Sequence, residues 1–114
     1  MDQLSAIMTI KALDGLSARA EVVASNIANA GTRNFRPQAV SFEEALRDAA
    51  AAGADAVSAV TPQRHAVSRG LLGDGLRLDQ ELANASATSG RYVALVEILN
   101  RRLEIERVAL TGGK

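Results

Sequence analysis

Residues 78–110 read L-D-Q-E-L-A-N-A-S-A-T-S-G-R-Y-V-A-L-V-E-I-L-N-R-R-L-E-I-E-R-V-A-L, and this stretch decides the fold class. Leu78, Leu82, Ala85, Ser89, Tyr92, Val96, Leu99, Leu103, Glu106 and Leu110 recur at a strict alternation of four and three, and eight of the ten are apolar. That period puts the side chains on one stripe of an α-helix; a strand would turn alternate residues to opposite faces. Leu95, Ile98 and Ile105 form a second row that widens the apolar face beyond a narrow seam, so the helix can touch more than one neighbour. Gly90 interrupts the run and marks a candidate bend, and Gly112 with Gly113 supplies a stop signal.

The other end of the chain carries the same signal. Ala6, Thr9, Leu13, Leu16, Ala20, Val23, Ile27 and Ala30 keep the spacing, with Leu4, Ile7, Met8 and Ile10 broadening the face near the start. Gly15 is the weak position of this first helix, where an exposed glycine costs about 1 kcal/mol against alanine. Both runs far exceed the average globular helix of about 11–12 residues. The expected fold is therefore all-α: long N- and C-terminal helices packed as an antiparallel-like coiled-coil hairpin, with an irregular middle loop and a short helix. Divided by character, residues 1–36 are the first helix and its exit, 37–75 the middle, and 76–114 the last helix with its entry.

The middle lacks long periodicity. Gly31 to Pro37 is a break. Ser41 and Glu44 have capping-box spacing, which predicts a short helix from Glu43 to about Ala51. Glu43, Glu44 and Asp48 would form a solvated acidic first turn complementing the helix dipole. Gly53, Pro62, Gly70, Gly73 and Gly75 then punctuate the chain, so residues 53–75 read as a loop that is mobile or ordered by a partner.

Composition removes several functional classes. The 13 basic residues balance the 13 acidic ones, without the basic surplus of a duplex nucleic-acid binder. There is no cysteine, hence no disulfide, thiolate nucleophile or cysteine-ligated metal. No run approaches the roughly 18 apolar residues of a membrane span, and Asp2 with Lys11 leaves no room for a cleaved secretory signal. His65 is the one histidine and sits in a Gly/Pro-punctuated segment, with no G-x-S-x-G elbow around any serine. Residues 70–75, G-L-L-G-D-G, lack the Lys-Ser/Thr ending of a phosphate loop. The expectation is a protein without catalytic residues, cofactor, metal, small-molecule substrate or nucleic-acid partner.

One segment says more than the periodicity. Residues 25–36 read S-N-I-A-N-A-G-T-R-N-F-R. Asn26 and Asn29 share a helix face, where their amides can bond carbonyls at the helix end or reach a neighbouring chain; Thr32 can satisfy the exit turn, and Phe35 can anchor the emerging chain. The segment is similar to the signature of the bacterial flagellar axial family, the rod and hook proteins: N-x-A-N-x-x-T-x-G-[YF]-[KR]. Asn26, Ala28, Asn29, Thr32, Phe35 and Arg36 match. Asn34 stands where the family has glycine, and asparagine is the residue that best tolerates a left-handed backbone after glycine, so the turn is expected to survive. Gly75, Leu78 and Asp79 resemble the family's entry into its last helix, G-N-x-V-D-x-x-x-E, with Leu76 in place of the asparagine and Glu81 earlier than the usual acidic position. Tyr92 occupies a stripe position where the family commonly has tyrosine.

The resemblance implies a subunit of the flagellar basal body. Residues 37–75 are too few for the β-rich domain of hook and distal-rod subunits, which points to the proximal rod. Phe42, in V-S-F-E-E-A-L, favours one of the two proximal subunits over its sister. It further implies export without a cleaved signal peptide through the flagellar type III apparatus and a place in the rod spanning the periplasm. The implied partners are copies of itself, other rod subunits, the membrane ring and a rod-junction protein. Leu13, Leu16, Val23 and Ile27 would pack against Leu78, Leu82, Tyr92, Val96, Leu99 and Leu103 within the subunit, and the remaining apolar rows would meet adjacent subunits. A soluble helical-hairpin adapter or chaperone-like binding module is the alternative from another class; it would show the same stripes without the signature around Asn29.

Overall fold

The computed structural model describes residues 2–67 and 78–112. The order is α1 (Gln3–Ala28), β1 (Gln38–Ser41), α2 (Glu43–Ala52), α3 (Ala54–Ser58), β2 (Gln63–Ala66) and α4 (Leu78–Leu110). Helix accounts for 73% of the described residues, so the architecture is all-α in the broad sense.

Helix α1 starts where Asp2 accepts a 2.8 Å hydrogen bond from the backbone N–H of Ser5, which satisfies one of the orphan donors of the first turn. The same bond holds the Asp2 carboxyl below the usual carboxylate range. The helix stops at Asn29, after which the chain turns through Asn34 at φ +64°, the left-handed conformation expected there.

The middle is more ordered than its sequence suggests. Strands β1 and β2 pair antiparallel, Gln38 opposite Ala66 and Ser41 opposite Gln63, with Val67 N–H donating to the Pro37 carbonyl at 3.0 Å to extend the ladder. Helix α2 begins at Glu43 as expected, but Phe42 is its N-cap and the Ser41/Glu44 capping box does not form. Gly53, at φ +116°, breaks the chain into the short α3. Residues 53–67, read from sequence as loop, thus carry α3 and β2. Both are too short for a periodic signal and owe their order to tertiary contact: Val57 of α3 is 0% exposed, and β2 is held by β1. Gly70, Gly73 and Gly75 lie outside the described residues.

Helix α1 is the centre of the molecule. One side packs on the middle segment, where Leu16 and Val22 join Val40, Phe42, Leu46 and Val57 in the buried core. The other side packs on α4, the most extensive contact between any two elements. The two helices run antiparallel, since Asn26 near the end of α1 meets Glu81 near the start of α4.

The seam on α4 differs from the stripe read in the sequence. Thr88 is buried, and Glu81, Ala85, Leu95, Leu99 and Arg102 are half-buried around it, again at intervals of four and three. Of the expected packing set, Leu16 and Val23 are buried, and Leu13, Ile27, Val96 and Leu99 are half-buried. Leu78, Leu82, Tyr92 and Leu103 are instead 40–53% exposed. Aliphatic residues occupy the seam and both flanks of α4, so periodicity fixes the helix but not which row turns inward. The choice is made by what α1 offers, including the polar Asn26 opposite Glu81.

Candidate assembly interface

The signature residues build the corner where α1 hands over to β1. Asn26 is 2% exposed. Its Oδ1 accepts from the Gln38 N–H at 3.1 Å and its Nδ2 donates to the Gln38 carbonyl at 2.8 Å. Val67 bonds Pro37 across the ladder, and antiparallel pairing alternates, so the Gln38 and Val40 backbone groups face away from β2. Asn26 therefore occupies the outer edge of β1 as a further strand would. Arg19, two turns earlier on the same helix face, donates from Nη2 to the Val40 carbonyl at 2.7 Å on that edge. An uncovered strand edge invites pairing with another chain, and here α1 side chains cover it.

Asn29 closes the helix: its Nδ2 donates to the Ser25 carbonyl at 2.9 Å, and its Oδ1 accepts from the Thr32 hydroxyl at 3.1 Å. The Phe35 N–H then donates to the Thr32 carbonyl at 3.2 Å. Phe35 is half-buried; Ala28 and Arg36 are exposed. The structure thus brings Asn26, Asn29, Thr32 and Phe35 into one exit turn. Asp79 lies exposed in the first turn of α4, and Gly75 falls outside the described residues.

A second cluster was not singled out from sequence. The Arg19 guanidinium grips Glu43 with both nitrogens at 2.7 Å and lies over the Phe42 ring, 4.8 Å from its centre. Hydrogen bonds from Arg19 hold the Glu43 carboxyl at about 2, well below the usual range. Glu43 is thus a paired anion and not simply a solvated first-turn acid. Gly15 lies one turn before Arg19, and a Cβ there would sit 2.4 Å from Phe42 ring carbons, so only glycine lets the ring lie against the helix backbone. Glu81 was also missed as a partner: its carboxylate accepts from Asn26 at 3.1 Å, tying α4 to the corner. A signal did exist. Met8, Ala12, Gly15, Arg19, Val22 and Asn26 keep the four-three spacing, but glycine, arginine and asparagine carry no hydropathy that would mark the row as packed.

Outside the corner, the prominent surface feature is apolar. Ile10 of α1 and Leu82, Val93, Ile98, Ile105 and Val108 of α4 are exposed, and Leu110 is 88% exposed. Aliphatic surface on this scale on one helix marks an interaction site more often than a free face. Among the described residues no acidic or histidine cluster could hold a metal ion, and no helix is long and apolar enough to cross a membrane.

No family model matches the chain. The flagellar basal body rod protein FlgB of Bacillus subtilis (strain 168) is 29% identical over 126 aligned positions, spanning 93% of this chain and 95% of that protein. The chain resembles a flagellar rod protein of the FlgB type. The likeness to FlgB runs through the middle as well as both long helices, whereas the signature motifs touch only the ends. In this chain Asn26 joins the first helix to the strand and to the second long helix, and aliphatic rows of α4 face outward.

Proposed function

We propose that this chain is a structural subunit of the proximal rod of the flagellar basal body, polymerising through α1 and α4 into the helical tube that transmits motor torque. The observation that carries the reading is the aliphatic surface left uncovered along α4, in a chain similar almost end to end to a basal-body rod protein. Rigidity suits the role: α1 is pinned to the middle segment by Asn26 and Arg19, so each subunit would present its outer helix rows at fixed angles. Its partners would be further copies, other rod subunits, the membrane ring and the rod-junction protein, and its route the flagellar type III export apparatus. On this reading the chain is not an enzyme.

The test replaces surface residues and leaves the core intact. Leu82→Asp and Val93→Asp put a charge on exposed α4 positions, where it stays in contact with water in the isolated subunit but is costly once buried between subunits. In a strain lacking the native gene, each variant is expected to accumulate and reach the export apparatus yet fail to restore swimming. Normal motility with both variants sinks the reading. A hairpin adapter would instead be absent from purified basal bodies while binding a discrete partner.

A further inference from the structure

The two long helices carry the same periodic signal in the sequence, but the structure buries them unequally. Every buried aliphatic or aromatic side chain among the described residues falls within residues 16–57. Helix α4, 33 residues long, contributes one buried residue, and that residue is the polar Thr88. Its contact with α1 is long but shallow. Of its aliphatic side chains, Leu95 reaches the core cluster, and it is half-buried there. Ala85 and Thr88, the seam residues between Glu81 and Leu95, are small, so this half of the seam takes few carbon atoms out of water. Open clefts along it, both bordered by Thr88, measure about 470 Å³ between Val23 and Arg91 and about 250 Å³ between Ala20 and Tyr92.

Polar ties divide the same way. Asn26 with Gln38, Arg19 with Glu43 and the Val40 carbonyl, Arg64 with Glu21, and the β1–β2 ladder all lie within residues 3–67. Across to α4, the Asn26 amide donates to Glu81 at 3.1 Å. Further along, α4 bonds with itself: Arg102 with Glu106 at 2.9 Å and Arg107 with Glu104 at 2.5 Å.

We propose that α4 is a strap, clasped at Glu81, that leaves α1 as a unit while residues 3–67 stay folded. Opening free energies within one protein run from near zero to the global value, and elements with few buried apolar contacts lie at the low end. Helix α1 is held from the middle segment by a closed core and from α4 by a half-open seam, so the seam parts first. The released helix is long and braced by its own ion pairs, and it stays partly helical. The core and the handover corner therefore keep their shape while α4 changes its seat. This holds whether or not the chain is a rod subunit.

Amide hydrogen exchange in the whole chain, read residue by residue by NMR under conditions where reclosing outpaces exchange, tests the strap. After correction for intrinsic rates, the amides of Thr88, Val96 and Leu99 inside α4 are expected to exchange at least about tenfold faster than those of Val22 in α1 and Ala50 in α2. Small additions of urea should accelerate the α4 set less, since undocking exposes less surface than unfolding. Two variants separate the steps. Glu81→Ala removes a bond that is absent from both the undocked and the unfolded chain, so it should speed both sets by the same factor, roughly 2- to 12-fold for one hydrogen bond. Leu46→Val weakens only what the undocked chain retains, so it should speed Val22 and Ala50 and leave α4 unchanged. If Leu46→Val does not fold, the rates and urea slopes of the unsubstituted chain decide. One common rate and slope for both sets, stronger protection in α4 than in α1, no protection in either, or an α4 set that follows Leu46→Val as closely as the core does overturns the proposal.

Discussion

Gly15→Ala is the sharpest test of how the core is built, because two effects of known size act in opposite directions. In a helix interior, alanine is favoured over glycine by about 1 kcal/mol, so on propensity alone the substitution stabilises α1. The structure predicts the reverse. The new methyl would lie 2.4 Å from Phe42 ring carbons, a distance no side chain tolerates, so the ring must leave its seat. Overpacking of this kind costs about 1–3 kcal/mol, and a ring driven out forfeits up to about 3 kcal/mol of burial together with about 0.5–1 kcal/mol of its contact with Arg19. The net expectation is a loss of about 1–3 kcal/mol. Urea unfolding followed by far-UV circular dichroism measures it, with trimethylamine N-oxide added because a core this small is marginal. The control is the same substitution beside Phe42→Ala. There the obstacle is gone, and Gly15→Ala should stabilise by up to about 1 kcal/mol. The sign of the effect thus inverts between backgrounds, a coupling that a double-mutant cycle isolates. A neutral or stabilising Gly15→Ala in the native background, or equal effects in both, refutes the seating of Phe42 against α1.

Glu43 has its carboxyl lowered from 4.5 to about 2, so the stability it contributes is fully present above about pH 4.5 and is lost as pH falls toward 2. Half the side chain is exposed, which limits the effect to about 1 kcal/mol; Glu43→Gln should remove that part of the acid dependence in unfolding measured across the same window. Asn26→Ala leaves the Gln38 N–H and C=O without their buried partner and should cost about 2–4 kcal/mol, read by the same denaturation, with faster hydrogen exchange at the Gln38 amide. Asn34→Gly keeps the left-handed turn and should be near neutral, whereas Asn34→Val should cost about 1–2 kcal/mol; equal stabilities would mean the turn is not held at φ +64°.

The two long helices and their antiparallel association were legible in the sequence because a four-three repeat sustained over 26 and 33 residues has one structural solution. The exit turn was legible as well: Asn34 is a residue chosen for a backbone conformation, and local steric preference travels with the residue. What sequence could not decide is which face of each helix meets which neighbour. Leu82 and Leu103 look like core and are surface, while Gly15, Arg19 and Asn26 look like interruptions and are the packed row against the middle segment. Hydropathy records the cost of exposing a side chain; it does not record the shape or hydrogen-bonding partner that a second element presents. Phe42 needs the missing Cβ of Gly15, and the edge of β1 needs the amide of Asn26, yet each requirement exists only once the chain has folded back on itself. Strands of four residues and a helix of five likewise have no independent signal and form only because α1 is there to bury Val40 and Val57.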